Sequence, residues 1–374
     1  MHRSLSLIVF VVSVFMAGAC QGQKVPVWVG TTTPQGGQSK GIYRLTLNAE
    51  TGRLSPAKLA AEVGSPGWVT LSPDGSKLYA AGSIGGKPSV VGYKIDGETL
   101  ERINAQPIGD GGAAHVSMNP KGRFLISAQY GGGSVAVFPV GEDGSIQSRS
   151  QLIEHEGGSR VVGRRQESPH PHWTGFDPGN KFAFVPDLGL DAVVVYRVNH
   201  ADGTLESAGV GKCPAGGGPR HMKFHPNGKH VFVLNELALA VTTFEFDSAS
   251  GSMRPLGTVQ ALTDREKARE SFNSAAEIRV HKSGRFVYSS NRGHDSITVF
   301  RYSDDGSLKR VEVEPIRGGW PRNFNIDPTG KWLLAAGRDS NTLAVFAIDQ
   351  ETGELKYGRS VAFVPSPICV AFGK

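Results

Sequence analysis

The sequence has few cysteines, few long apolar runs and no cluster of like charges. Cysteine occurs only three times in 374 residues, so disulfide bonds cannot provide the framework of the fold. Cys213 and Cys369 are therefore interpreted as packing residues. The 40 basic residues exceed the 34 acidic ones only modestly and are scattered along the chain, so nucleic-acid binding is not indicated.

The most apolar run lies at the N-terminus and is short. Apolar residues 5–16 follow a charged start and precede the small residues 17–19, a pattern that predicts a signal peptide over residues 1–19 and export to the periplasm or the medium. Contact with a membrane is expected only if Cys20, which follows the cleavage site, is lipidated. Because Ala17 stands where lipoprotein signals usually carry leucine, the sequence leaves both processing routes open.

Two turn signatures recur through the rest of the chain. One is Pro-x-Gly followed by Lys or Arg, as in "SPDGSK" at 72 and "HPNGKH" at 225. The other is an Asp-Gly-type turn found seven times, at intervals of 45, 47, 59, 48, 55 and 47 residues. Glycine supplies the positive φ that hairpin turns require. The seven glycines of the second signature are Gly52, Gly97, Gly144, Gly203, Gly251, Gly306 and Gly353.

Each repeat is predicted to contain four strands, with one turn of each kind. Four strands in about 45 residues, repeated radially, are typical of a β-propeller blade. The C-terminal "SPICVAFGK" resembles a first strand without its second, and the N-terminal "VPVWVGTTT" resembles a second without its first. We therefore predict an all-β, seven-bladed propeller over residues 24–374, closed by both terminal strands in one blade. Two β-sandwiches, the competing fold, would not require complementary ends.

Irregular polar residues concentrate at one end of the predicted blades. Counting residues from the hairpin turns places one set of polar residues just before the first strand of a blade and a second set just after the second strand. Both sets are therefore expected around one mouth of the central channel. Guanidinium groups bind carboxylate or phosphate, so the arginines predict an anionic ligand. A histidine and a glutamate among them form a candidate proton-transfer pair. The residues of this mouth are His172, Arg220 and Arg322 before the first strands, and Glu236, Arg292 and Arg338 after the second strands.

These polar residues also allow two other interpretations. A metal site at His170 and His172 would need a third ligand, and alternate residues of a strand point to opposite faces. No metal or cofactor is therefore predicted. Arg220, Arg292 and Glu236 could instead form ion pairs between blades. Arginines outnumber carboxylates at this mouth, however, which leaves positive charge for a ligand.

Four motifs together resemble the seven-bladed propeller lactonases, a group that contains bacterial 6-phosphogluconolactonases and fungal carboxy-cis,cis-muconate cyclases. The resemblance implies a catalytic set of one histidine, two arginines and one glutamate. By motif these are His172 in "PHPHW", Arg220 in "GPRH", Glu236 in "NEL" and Arg292 in "SNRG". The motifs are "SPHPHW", "GGGPRHMKFHPNGKHVFVLNEL", "AAEIRVHKSGRFVYSSNRGHDSI" and "WPRNFNIDPTGKWLLAAGRDSNTLAVF".

The sequence thus predicts a monomeric lactonase that hydrolyses, or reversibly closes, a small anionic lactone of the sugar-acid type. Export would separate the protein from cytoplasmic sugar phosphates, so the sequence does not identify the substrate. The alternatives are a non-catalytic propeller that binds an anionic ligand or peptide, and a carboxymuconate cyclase-type lactonising enzyme. Further substrate contacts are predicted from His170, His221, Asp187, Asn235, Arg322 and Arg338.

Overall fold

The two predicted turn types separate the strands of each blade in the computed structural model, which describes residues 23–374. The glycine of every Asp-Gly-type turn has a positive φ, such as 82° at Gly251. A Cβ atom at Gly251 would lie 2.6 Å from the ring of Phe182, so both backbone and space require glycine there. In the looser copy "DPGNK", Asn180 takes the left-handed conformation instead, with φ of 54°.

The strands form seven four-stranded antiparallel sheets, one for each predicted blade. The closing blade contains β1 (Lys24–Thr31), β2 (Gly41–Asn48), β3 (Lys58–Glu62) and β28 (Pro367–Phe372). Blade 1 contains β4 (Gly64–Leu71), β5 (Lys77–Ile84), β6 (Lys87–Asp96) and β7 (Thr99–Pro107). Blade 2 contains β8 (Ala113–Met118), β9 (Phe124–Gln129), β10 (Ser134–Pro139) and β11 (Gln151–Glu154). Blade 3 contains β12 (Gly175–Phe176), β13 (Phe182–Asp187), β14 (Ala192–Val198) and β15 (Leu205–Lys212).

The remaining three blades follow in chain order. Blade 4 contains β16 (Pro219–Phe224), β17 (His230–Asn235), β18 (Ala240–Phe246) and β19 (Met253–Gln260). Blade 5 contains β20 (Ser274–Val280), β21 (Phe286–Arg292), β22 (Ser296–Tyr302) and β23 (Leu308–Pro315). Blade 6 contains β24 (Pro321–Ile326), β25 (Trp332–Gly337), β26 (Thr342–Ile348) and β27 (Leu355–Phe363). The predicted seven-bladed propeller is confirmed.

Both termini of the propeller meet in one sheet, as predicted. Strand β28 pairs antiparallel with β1, and Val29 lies opposite Val370 in this register. First strands of neighbouring blades contact each other around the axis, so β28 sits in the innermost ring between β24 and β4. The N- and C-terminal strands therefore close the ring by backbone hydrogen bonds, without a free inner edge.

The apolar core lies between the blades. Each hydrophobic cluster combines side chains of adjacent sheets; Val27 and Val370 of the closing blade, for example, share a cluster with Leu334 and Val345 of blade 6. Burying one large apolar side chain contributes about 1.5–3 kcal/mol to stability. Cys369 is buried beside Val69, and neither it nor Cys213 forms a disulfide in the described chain.

Two short helical elements interrupt the strands. A 3-10 turn over Gly163–Arg165 lies between β11 and β12. Helix α1 (Asp264–Lys267) has a capping box formed by Thr263 and Glu266. None of the helices within residues 23–374 has the length and apolar character needed to cross a membrane. The predicted signal peptide and Cys20 lie outside the described residues.

Val370→Asp tests whether the β28–β1 closure supports the ring. Val370 is 1 % exposed, so an aspartate there would bury an unpaired carboxylate in the closing blade. We expect the free energy of unfolding to fall by more than about 3 kcal/mol, measured by urea denaturation. In the outer strand β27, Val361 is 45 % exposed, and Val361→Asp should cost less than about 0.5 kcal/mol. Equal losses in the two variants would contradict a special role for the closing strand.

Candidate active site

A cavity of about 630 Å³ opens at one mouth of the central channel. It is formed where the chain enters the first strands and where it leaves the second strands, which is the mouth predicted from the sequence. Five of the ten predicted site residues line it. These five are His172, Arg220, Glu236, Arg292 and Arg322.

The Glu236 carboxylate lies at the centre of the charged groups. It follows β17 directly, is 3 % exposed, and contacts three guanidinium groups. Its Oε2 atom is 3.1 Å from Nη1 of Arg220, and its Oε1 atom is 3.2 Å from Nη2 of Arg292. Nη2 of Arg165 lies 2.6 Å from the same Oε1 atom. The carboxylate therefore holds three arginines from different parts of the chain in one arrangement.

His172 and Arg220 are in direct contact. Nη1 of Arg220 donates to Nε2 of His172 as well as to Glu236, and its Nε donates to the carbonyl of Ala276 at 2.6 Å. An imidazole nitrogen that accepts a hydrogen bond carries no proton, so the ring is neutral and protonated on Nδ1. Nδ1 makes no hydrogen bond with the described residues. Arg220 thus connects the candidate base to the carboxylate.

Burial and neighbouring charges set the protonation of these groups. Burial lowers the pKa of His172 well below 6.5, and the positive charge of Arg220 lowers it further. Burial alone would raise the pKa of Glu236, but Arg292 and Arg220 outweigh it, so the net pKa is well below the ordinary value. Burial and Arg322 lower the pKa of Arg220, yet a guanidinium stays protonated in proteins. The site therefore combines a neutral imidazole, one carboxylate and several cations.

Arg322 supplies positive charge that no described residue neutralises. Its side chain lines the cavity and forms no ion pair or hydrogen bond within residues 23–374. Burial lowers its pKa to about 10, and the charge of Arg292 acts in the same direction. Arg322 is therefore still charged at neutral pH, and its charge is available to an anionic ligand.

Arg165 is a lining residue that the sequence did not predict. It lies in the long connection between β11 and β12, and its Nη2 also donates to the hydroxyl of Tyr130 at 3.1 Å. The adjacent Gln166 is fully buried and bonds to Asp191 at 2.6 Å, which anchors the connection. The only sequence signal was length: the interval from Gly144 to Gly203 is 59 residues, the longest of the series.

His170 and Asp187 lie outside the lining of this cavity. The carboxylate of Asp187 is fully buried, accepts from the backbone N–H of His170 at 2.7 Å, and lies 2.7 Å from Nδ1 of His155. His170 stacks on the ring of Tyr130 and bonds to its carbonyl at 2.8 Å. Both residues therefore hold the connections around the cavity, and their predicted substrate contacts would be indirect.

His221, Asn235 and Arg338 also lie outside the lining. His221 packs against the ring of His172 at 5.2 Å between centroids. The amide of Asn235 donates to Thr242 within its own blade. Arg338 pairs with Asp339 at 2.6 Å and covers the ring of Trp320. Across residues 23–374, no group of three or more histidine, cysteine, aspartate or glutamate side chains is arranged to hold a metal ion.

Comparisons with known proteins agree with this architecture. The family described as "Lactonase, 7-bladed beta-propeller" matches residues 26–372. The chain is 39 % identical to the 6-phosphogluconolactonase of Bacillus subtilis, over 92 % of this chain and 97 % of that protein. It is 34 % identical to the 6-phosphogluconolactonase of Formosa agariphila, over 84 % of this chain and 90 % of that protein.

Solved structures of similar proteins have the same fold. A periplasmic gluconolactonase of Pseudomonas aeruginosa superposes with a TM-score of 0.86 at 29 % identity, covering 94 % of this chain and 99 % of that one. A protein from Lactobacillus plantarum superposes with a TM-score of 0.87 at 28 % identity, covering 94 % and 100 % of the two chains.

Three buried histidines should make the protein sensitive to acid below pH 6.5. Burial lowers the pKa of His115, His172 and His221 well below 6.5. Burial and the charge of Arg220 lower the pKa of His221 even though its Nδ1 atom lies 3.2 Å from Oε1 of Glu277. The unfolded chain takes up these protons near pH 6.5 and the folded chain does not, so stability is complete above that pH and falls below it.

We expect each histidine to contribute about 1 kcal/mol to the loss of stability between pH 6.5 and 5.5, approaching the limit of about 1.4 kcal/mol per pH unit at lower pH. Urea denaturation at pH 7.5, 6.5 and 5.5 measures the slope. His115→Gln removes one of the three groups and should reduce the loss between pH 6.5 and 5.5 by about 1 kcal/mol. Glu236 loses its contribution only below about pH 4.5, the ordinary glutamate pKa, so it does not interfere. A slope identical in wild type and variant would refute the assignment.

Proposed function

We propose that this chain, which belongs to the seven-bladed β-propeller lactonase family, hydrolyses the lactone ring of a small anionic sugar-acid lactone. One observation carries the proposal: four guanidinium groups and one carboxylate share a cavity with a neutral imidazole. The excess positive charge fits a substrate with its own negative group, and a lactone carbonyl develops further negative charge when water attacks it.

Arg220 and Arg292 are assigned to the oxyanion that forms on the carbonyl oxygen. Both guanidinium groups are buried and held by Glu236, so their donors are fixed before the substrate arrives. Donors organised in this way need no rearrangement in the transition state. Arg322, whose charge has no partner among the described residues, is assigned to the negative group of the substrate.

His172 is assigned to accept the proton of the attacking water. Its Nε2 atom is the basic nitrogen and contacts Arg220. A substrate oxygen that takes over the hydrogen bond from Arg220 would free Nε2 to accept the water proton. When the tetrahedral intermediate collapses and the ring C–O bond breaks, the His172 imidazolium returns this proton to the leaving alkoxide oxygen. Glu236 is less suited to this role because three guanidinium groups stabilise its ionised form. We therefore assign Glu236 to orienting Arg165, Arg220 and Arg292.

The proposed substrate class follows from charge and from the predicted export. Relatives named 6-phosphogluconolactonase and a relative described as a periplasmic gluconolactonase support a sugar-acid lactone. The predicted signal peptide would place the protein outside the cytoplasm, where lactones that carry a carboxylate are better candidates than sugar phosphates. An arginine without an acidic partner binds a carboxylate or a phosphate, so a panel of lactones is needed to distinguish the two substrate classes.

Arg292→Ala tests the proposed lactonase. With an anionic sugar-acid lactone as substrate, we expect kcat/KM to fall at least tenfold because one oxyanion donor is removed. A pH-stat assay should compare a carboxylated lactone, a phosphorylated lactone and a neutral aldonolactone. His172→Ala should lose activity in parallel. Arg254→Ala changes an exposed arginine on β19 and serves as the control, with activity unchanged.

The same panel separates the alternatives. If wild type turns over none of the lactones but binds them saturably, the non-catalytic binding propeller is correct. Turnover of an unsaturated diacid in the ring-closing direction would indicate a carboxymuconate cyclase-type enzyme. Wild-type activity unchanged in Arg292→Ala and His172→Ala would remove both residues from the mechanism.

The pH profile distinguishes His172 from Glu236 as the base. Because the pKa of His172 lies below 6.5, kcat/KM should be constant from pH 6.5 to 8 and fall only at lower pH. Glu236 raises the pKa of His172, so Glu236→Gln should lower activity and move this acid limb to still lower pH. If Glu236 were the base, Glu236→Gln would instead remove the acid limb of the kcat/KM profile.

A further inference from the structure

A second cavity, of about 510 Å³, lies at the opposite mouth of the channel. The active-site cavity borders the beginnings of the first strands, whereas this one borders their later residues, such as Thr70 and Leu71 of β4 and Phe372 of β28. All seven innermost strands, or the residues directly before them, contribute to its wall. The cavity is therefore a separate feature of the propeller axis.

The wall of this second cavity is mainly apolar but carries two cations. Trp68, Trp173 and Phe224 are among its aromatic lining residues, and Lys223 and Arg279 are its charged ones. No aspartate or glutamate belongs to the lining. A cavity with an apolar wall and positive charge favours a ligand that has an apolar body and one negative group.

Lys223 is the cation without an acidic partner. Its Nζ atom lies 4.6 Å from the centroid of the Trp173 ring and forms no ion pair or hydrogen bond within residues 23–374. Arg279, in contrast, donates to the carbonyl of Phe324 at 3.3 Å and lies 3.4 Å from Glu277. The indole N–H of Trp173 is also buried and makes no hydrogen bond with the described residues.

A layer of rings separates this cavity from the active site. Trp68 packs on His115 at 4.1 Å and on His221 at 5.5 Å, and His221 packs on His172 at 5.2 Å. Glu277 is fully buried at the same level, where it contacts His221 and Arg279. An anion at Lys223 would therefore not share the guanidinium groups of the active site.

The geometry points to a second binding site at Lys223, for a small organic carboxylate with an aromatic body. The carboxylate would pair with Nζ of Lys223, and the ring would pack against the aromatic wall beside Trp173. This assignment does not depend on the lactonase activity proposed above, because none of its residues belongs to that site.

The charge state of Lys223 adds a pH dependence. Burial and, to a smaller extent, the charge of Arg279 lower its pKa to about 7 against the opposing effect of Glu277. The other titratable groups around it are His115, His221 and Cys369. A bound carboxylate favours the charged ammonium, so affinity should decrease as the pH rises through 7.

Titration with benzoate, followed by intrinsic tryptophan fluorescence and by calorimetry, tests the site. We expect saturable binding at pH 6 that is at least tenfold weaker at pH 9. Lys223→Met should weaken binding at least tenfold at pH 6, and Lys223→Arg, which keeps the charge, should restore it. Benzyl alcohol, a neutral analogue of benzoate, should show no saturable binding. If Lys223→Met does not fold, Arg279→Met provides the second test, with a smaller loss.

Arg322→Met is the matched control in the other cavity. It should leave benzoate affinity within twofold of wild type, because Arg322 lies on the active-site side of the ring layer. Binding weakened by Arg322→Met and not by Lys223→Met would place benzoate in the active site and overturn the assignment. Absence of saturation up to about 50 mM would also overturn it, since that limit excludes even weak affinity.

Discussion

Closure of the ring is the constraint on which the rest of the structure depends. Each blade buries its faces against its neighbours, so a missing contact between the last strand and the first would expose two apolar faces at once. Strand β28 prevents this by pairing with β1. The closed ring also directs every first strand the same way around the axis. Residues as distant in sequence as His172 and Arg292 consequently reach the same mouth.

Within that mouth, Glu236 is the residue that makes several closely spaced cations compatible. Guanidinium groups packed together repel one another, and removing them from water is costly. The carboxylate contacts three of them at 2.6 to 3.2 Å. A strongly ionised acid can therefore lie beside a neutral histidine: burial keeps His172 unprotonated, and the positive charge of Arg220, which the acid fixes in place, acts in the same direction. Burial and the fixed cations together set the protonation of this site.

The fold could be predicted because its signals are local. A positive φ in a tight hairpin favours glycine or asparagine, so these turns can be recognised in the sequence, and seven of them imply seven blades. The complementary terminal strands imply that the ring is closed. The register of the hairpins also placed His172, Arg220, Glu236, Arg292 and Arg322 correctly around one cavity. It could not say which way a loop side chain turns. Asp187 turns inward to accept from backbone N–H groups, and Arg338 turns toward Asp339 and Trp320. Arg165 lies in an irregular connection, where no strand register exists to count from.

The layer of rings across the channel gives the two mouths different chemistry. Above it, guanidinium groups and one carboxylate form a polar site; below it, a single unpaired ammonium faces an apolar wall. His115 and His221 belong to this layer and are neutral because burial opposes their protonation; the charge of Lys223 acts in the same direction on both rings, and that of Arg220 on His221. The neutral rings of this layer add no charge of their own, and their low polarity strengthens the electrostatic interactions on each side. The same packing that fills the propeller axis thus keeps the arginine-lined candidate active site chemically separate from the cavity behind it.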